Sequence, residues 1–169
     1  MEQKTVFIGA TGYDHYCTEG RKKLLDAGCC LIENQLGRPY TAEELKAIGG
    51  EINAVICGCE VWNEETIAAA PNLKVIVKFG VGVDNIDVKY AEANGITVKN
   101  TPRASSQSVA ELAMAHMFAC ARYISIAGHT MREDKWEKKA YGKGIELKGK
   151  TLGIVGFGRI GQHLGVMAK

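Results

Sequence analysis

Between residues 4 and 99, short apolar runs alternate with helix signals, and this alternation constrains the fold more than any other feature of the chain. The runs are 4–9, 29–33, 54–57, 74–79 and 96–99. Between them, residues 19–27 read as a helix ended by Gly28. Thr41-Ala42-Glu43-Glu44 has the spacing of a capping box, opening a helix that ends near Gly49-Gly50. Asn63 caps a helix that stops before Pro71, and Asp87 caps a short one reaching Asn94-Gly95. Near-continuous apolar strands are covered on both faces, so the pattern predicts an α/β fold with a parallel sheet. Right-handed crossovers make it a doubly wound, flavodoxin-like domain of about 100 residues. Such sheets bind ligands beyond the carboxyl ends of their strands. Loops 9–13, 58–62 and 80–84 are therefore expected at the functional edge.

Residues 108–127 read as one long helix, with Val109, Leu112, Ala113, Met117, Cys120 and Ile124 at helical spacing. Its surface is poor in polar groups, which predicts burial between domains or subunits. Residues 130–144 form a charged excursion carrying Trp136, and residues 146–150 lead into a further apolar strand, 151–155.

The composition excludes several classes. With 169 residues, 46% apolar and 24% charged, and a net charge of +2, the chain reads as a globular protein. Its densest basic stretch, 135–150, is broken by Glu137 and Glu146 and reads as a solvated face, so neither nucleic acid nor membrane is an expected partner. The first apolar run is too short for a signal peptide, and none reaches the roughly 18 residues of a membrane span. A cytoplasmic location is expected. The six cysteines match no zinc spacing, and no metal is expected. Cys29-Cys30 and Cys57-Gly58-Cys59 fall in apolar runs and are expected to be reduced core residues.

Three motifs carry chemistry. Gly156-Phe157-Gly158-Arg159-Ile160-Gly161 follows a strand and opens a helix pattern. This is the glycine spacing that lets backbone approach a pyrophosphate at a helix N-terminus. The acid that would hold the adenosine ribose belongs roughly 20 positions further on, beyond Lys169. In Lys78-Phe79-Gly80-Val81-Gly82-Val83-Asp84-Asn85-Ile86-Asp87, two glycines at a strand end suit a small anion-binding nest. The competing reading is a turn that needs glycine for positive φ. Asp87 reads as a cap and Asp84 as a buttress for the loop. In the run from Asn100 to Glu111, Ser105, Ser106 and Ser108 suit helix capping, or hydroxyls facing a substrate. His15, His116, His129 and His163 are scattered, without evident carboxylate partners.

Together, G-V-G-V-D-N-I-D, T-P-x-x-S-S-x-S-V-A-E and E-L-K-G-K-T-L-G-I-V-G-F-G-R-I-G resemble the D-isomer-specific 2-hydroxyacid dehydrogenases, over nearly the whole chain. The resemblance implies a substrate domain over 1–101, and an interdomain helix with a dimerisation excursion over 102–148. It implies the first strand, turn and helix of a Rossmann NAD domain, cut short, over 149–169. It implies NAD, or NADP, as cofactor and a homodimer or larger assembly. Residue by residue, Val81 and Gly82 in the Gly80–Gly82 loop would bind the substrate carboxylate. Ser105 stands where many members have asparagine, and Lys78 where arginine is frequent. Val109 would touch the nicotinamide, and Gly156, Gly158, Arg159, Ile160 and Gly161 would hold the pyrophosphate.

The family's catalytic arginine, glutamate and histidine would lie beyond Lys169, so the 169-residue chain is expected to be inactive alone and to bind NAD weakly. The implied activity interconverts a small 2-hydroxy acid and its 2-keto acid, of the 3-phosphoglycerate or the glyoxylate and hydroxypyruvate class. Phosphoglycerate members resemble V-I-R-S-x-T where this chain has Val55-Ile56-Cys57-Gly58-Cys59-Glu60, and a cysteine cannot replace a phosphate-binding guanidinium. Glu60 would repel the phosphate. The alternative is a non-catalytic dimerisation or dinucleotide-sensing module, since the same family includes corepressor-like members.

Overall fold

In a computed structural model describing residues 3–169, the five apolar runs pair as one parallel sheet in the order β2-β1-β3-β4-β5. The strands are β1 (Thr5–Ile8), β2 (Cys30–Glu33), β3 (Ala54–Cys57), β4 (Val75–Lys78) and β5 (Thr97–Lys99). This is the flavodoxin-like doubly wound order, with its switch point between β1 and β3. The crossover helices are α1 (Tyr13–Tyr16), α2 (Thr18–Asp26), α3 (Ala42–Gly49), α4 (Glu64–Ala68) and α5 (Val88–Ala93). Only α1 has no counterpart in the sequence reading; it starts at Gly12, whose φ of 73° breaks the chain direction after β1. The cap signals act as expected. Thr41 and Glu44 close a reciprocal capping box on α3, Asn63 accepts from the Thr66 N–H, and Asp87 accepts from the Tyr90 N–H.

Alternate residues of each strand face opposite layers. Phe7, Val55, Cys57 and Ile76 pack with Leu45 of α3, Ile67 of α4, Ala91 of α5 and Trp62 in the main core. Phe7 meets Tyr40 edge-on with ring centroids 5.0 Å apart. Burying an aromatic ring of this kind contributes about 1.5–3 kcal/mol. On the other face Val6, Ile8, Ala10 and Tyr13 pack with Leu24 of α2, Leu31, Ala54 and Ile56. That layer is thinner, and Val75 and Val77 line an open apolar cleft on it.

The chain divides into two compact units, one ending at Pro102 and the other running from Arg103 to Lys169. The second holds α6 (Ser106–Ala121), α7 (Ile124–Arg132), α8 (Lys138–Tyr141) and α9 (Arg159–Met167), with α9 packed on α6. The single long helix expected over 108–127 is two helices bent by 66°. The break falls at Tyr123, which adopts a left-handed φ of 56°. Two contacts favour it: the Ala121 carbonyl accepts from the Ile145 N–H at 2.8 Å, and the Tyr123 ring lies against Tyr141. The expected burial is one between domains or subunits, and within this single chain Leu112, Phe118, Ile124 and Ile126 are exposed.

Two further expectations are corrected. Cys57 is buried, but Cys30 and Cys59 are exposed, because Cys30 opens the edge strand and Cys59 lies in the loop after β3. Residues 151–155 form no strand, and Val155 is fully exposed. A strand needs a neighbour's N–H and C=O groups, and among the described residues none pairs with this segment. Among the described residues no single helix is long and apolar enough to cross a membrane.

Candidate functional site

Parallel pairing sets the ends of β1, β3 and β4 along one edge, so the loops after them meet there. The loop after β4 begins at Gly80, whose φ of 154° strains any residue with a side chain. The Gly80 carbonyl accepts from both the N–H and the hydroxyl of Thr101, at 2.9 and 3.1 Å. The Val81 carbonyl accepts from Asn100 Nδ2 at 2.7 Å. Asn100 and Thr101 directly follow β5. A carbonyl and the next N–H share one peptide plane and point opposite ways. The N–H groups of Val81 and Gly82 therefore both point away from the 100–101 segment, and neither has an acceptor among the described residues. Val81 and Gly82 are exposed. Two adjacent unpaired N–H groups make a concave donor pair for an anion of carboxylate size.

The loop is tied down at both ends. At its start, Lys78 Nζ donates to the Gly58 carbonyl and to Asn85 Oδ1, the latter at 2.9 Å. At its end, Asn85 Nδ2 donates to the Glu60 carbonyl at 2.6 Å and approaches Cys57 Sγ at 3.3 Å. The Trp62 N–H donates to the Asn85 carbonyl, and the Asp87 N–H to the Trp62 carbonyl, both at 2.8 Å. Asn85 is thus the buttress, whereas Asp84 is exposed and donates or accepts no hydrogen bond among the described residues. Sequence reasoning missed Asn85, Asn100 and Thr101. The one available signal was an amide or hydroxyl side chain directly after a strand or beside a glycine turn.

The switch point between β1 and β3 is closed by the protein itself. Glu60 is buried, and its Oε1 accepts from the Gly58 N–H at 3.0 Å. The carboxylate lies so close to Gly9 that a methyl group there would overlap it. Its Oε2 finds no hydrogen-bond partner among the described residues. Burial pushes the Cys57 thiol up to about 12, and the nearby Glu60 charge adds to the shift. A thiol so held is an inert core group rather than a nucleophile.

In the second unit, Gly156 has a φ of 92°, a conformation open to glycine. Gly161 packs so tightly on the Gly156 carbonyl that a Cβ would sit 2.5 Å from its oxygen. Gly158 caps α9 in an extended conformation, with open space where its Cβ would be. A helix leaves its first-turn N–H groups without intrahelical acceptors, and Ile160 and Gly161 lie in the first turn of α9. This is the chemistry of a pyrophosphate cradle: a tight turn, a close backbone approach and a helix N-terminus. Arg103, Arg159 and His163 share a shallow cleft beside α9 with Ser106 and Gln107. Ser105 is the exposed N-cap residue of α6 but makes no side-chain cap bond. Val109 is exposed one turn further on. The two glycine motifs belong to different units.

A family model described as the D-isomer specific 2-hydroxyacid dehydrogenase catalytic domain matches residues 7–140, and the NAD binding domain of the same family matches 114–169. The hydroxypyruvate reductase of Thermotoga maritima is 51% identical over 123 residues, covering 72% of this chain and 40% of that protein. The D-3-phosphoglycerate dehydrogenase of Methanocaldococcus jannaschii is 47% identical over 139 residues, covering 81% of this chain and 26% of that protein. Among solved structures, the NAD+-bound 3-phosphoglycerate dehydrogenase of Entamoeba histolytica matches with a TM-score of 0.73 at 27% identity. That match covers 99% of this chain and 51% of the other. The chain therefore spans less than half the length of these two sequence relatives.

Proposed function

The chain belongs to the D-isomer specific 2-hydroxyacid dehydrogenase family, and from that premise we propose that it supplies the carboxylate loop and the pyrophosphate turn of an NAD-dependent oxidoreductase. The reaction interconverts a small 2-hydroxy acid and its 2-keto acid. The observation that carries this reading is the pair of unpaired N–H groups on Val81 and Gly82, held outward by carbonyls that are already satisfied. Each donor gives the substrate carboxylate a charge-assisted hydrogen bond, stronger than a neutral one. Ser105 adds a hydroxyl to the substrate side.

NAD, when bound, supplies the hydride acceptor or donor. Gly156, Gly158, Arg159, Ile160 and Gly161 hold its pyrophosphate, and Val109 gives an apolar contact to the nicotinamide. The tight packing of Gly161 on Gly156 and the open space at Gly158 fit that group. NADP is held by the same turn, because the ribose contacts that distinguish the two lie outside it. Residues 1–101 act as the substrate domain, 102–148 as interdomain helix and dimerisation region, and 149–169 as the opening of the NAD domain.

For the substrate, we favour the glyoxylate and hydroxypyruvate class over phosphoglycerate. At the edge where β3 and β4 end, Cys57 is buried, Lys78 is engaged with Gly58 and Asn85, and Glu60 brings a carboxylate. That edge suits a small carboxylate better than a second, phosphorylated group. The residues that carry the resemblance include no acid–base histidine, so the 169-residue chain is proposed to be inactive on its own. The test follows NADH oxidation with hydroxypyruvate, glyoxylate and phosphohydroxypyruvate. It also follows the Val81 and Gly82 amide resonances as D-glycerate is added. Perturbation of those two amides without turnover is the expected result. Amides that stay unmoved at saturating acid overturn the site. Turnover near about 10 per second overturns the inactivity.

A second reading, a non-catalytic dimerisation or dinucleotide-sensing module, draws on the exposed apolar side chains of α6 and α7. It is favoured if the chain associates and binds NAD but D-glycerate leaves the loop amides unmoved.

A further inference from the structure

The loop that carries the two donors is not rigid by itself. Gly80 and Gly82 flank Val81, and glycine populates φ of either sign at similar cost. Left alone, the peptide planes 80–81 and 81–82 would turn freely, and the two N–H groups would point together only part of the time. Each plane is instead held from behind by one residue after β5. The Thr101 N–H and hydroxyl hold the Gly80 carbonyl, and the Asn100 amide holds the Val81 carbonyl.

We propose that Asn100 and Thr101 are positioning residues for carboxylate binding: they touch no substrate themselves, and they fix both peptide planes so that the Val81 and Gly82 N–H groups converge on one anion. This rests on the carboxylate-loop reading given above. The donors gain by it because an anion that meets preset N–H groups pays no ordering entropy for the loop. The design differs from a helix N-terminus, where the helix itself fixes the donors. Here a neighbouring strand's exit does so, across about twenty residues of sequence. The division of labour is specific. Asn100 governs the Gly82 N–H, because it holds the Val81 carbonyl in the same plane. Thr101 governs the Val81 N–H in the same way, and its backbone N–H keeps part of that hold when the side chain is removed.

The experiment uses the 15N-labelled chain with two readouts. Residual dipolar couplings of the Val81 and Gly82 N–H bonds report plane orientation without any ligand. Titration with D-glycerate reports affinity. In Asn100→Ala the Gly82 coupling changes, couplings across β1 to β5 stay fixed, and D-glycerate binds about tenfold more weakly, the scale of one well-placed hydrogen bond. In Thr101→Val the Val81 coupling moves and affinity falls about threefold, for half of a shared hold. Thr101→Ser, which keeps the hydroxyl, restores both. Couplings that do not respond to Asn100→Ala overturn the proposal, as does an unchanged affinity where the couplings do move. If the wild-type chain binds no D-glycerate while the couplings respond as described, the orientation role stands and the functional reading above fails.

Discussion

The two units treat similar apolar side chains in opposite ways. The unit ending at Pro102 buries Trp62, Phe7, Leu45, Ile52 and Ile76 almost completely. In the unit from Arg103 onward, the buried apolar residues among those described are only Ala110 and Ala121, while Leu112, Phe118, Ile124, Met131 and Trp136 are exposed. The first unit is a sheet covered by its own helices; the second is a set of helices whose large side chains point outward. A fold closed on itself draws its stability from within, whereas exposed apolar helices gain theirs from whatever covers them. The difference teaches that composition alone does not say where a core is complete.

Substitutions can break or sharpen that contrast. The largest effect is expected in the first unit. Trp62→Ala empties the main core and costs about 3–5 kcal/mol in urea unfolding, whereas Trp136→Ala, at a 74% exposed site, changes stability by less than about 0.5 kcal/mol. Equal losses at the two positions would erase the contrast. The next effect concerns association. If the α6 and α7 surface pairs two copies, light scattering gives a dimer for the wild-type chain and a monomer for Leu112→Asp combined with Phe118→Asp, with the first unit still folded. A wild-type monomer at high concentration would remove the partner surface.

A smaller effect belongs to the loop. Gly80→Ala places a side chain at a φ of 154° and costs about 1–3 kcal/mol, although the nearest heavy atom outside the local backbone is 3.5 Å away on Lys78. The cost is backbone strain rather than crowding, so a loss no greater than at an exposed helix position would exclude it. The smallest effect is at the α3 cap, where Thr41→Ala costs about 1 kcal/mol. Its partner gives the pH dependence. Hydrogen bonds from Arg38 foremost, and from the Thr41 N–H, hold the Glu44 carboxyl down at about 2, against an ordinary 4.5. Its folded value is depressed, so its contribution is full above 4.5 and is lost as pH falls through about 2. Unfolding measured from pH 6 to pH 2 shows a shallower decline in Glu44→Gln; parallel curves would rule the carboxyl out.

What the sequence made legible was whatever a short stretch decides by itself. Thr41, Asn63 and Asp87 act as caps because a cap needs only the next three residues. The strands were readable because continuous apolar runs of four or five residues have few alternatives beside helix signals. The break at Tyr123 was not, because it depends on Ile145 and Tyr141, some twenty residues away. The serines before α6 looked like caps, yet Ser105 makes no cap bond. At the candidate site the glycines stood out, but not the residues that orient them: Asn100 and Thr101 lie nineteen and twenty-one positions from the carbonyls they hold. Asn85, rather than its charged neighbour Asp84, ties the loop to Cys57 at the end of β3 and to the Glu60 carbonyl beyond it. An exposed carboxylate such as Asp84 needs no partner, whereas a half-buried amide such as Asn85 does.

The closed switch point has a consequence for how this sequence can drift. Glu60 occupies the volume that any side chain at Gly9 would need. The two positions are therefore coupled: alanine at 9 is poorly tolerated while Glu60 stays, and shortening residue 60 removes the atoms it would overlap. A descendant lineage must shorten residue 60 before it can enlarge residue 9. The order matters because shortening first leaves a void and a Gly58 N–H without its carboxylate, a survivable defect, whereas enlarging first forces a carboxylate out of a packed interior.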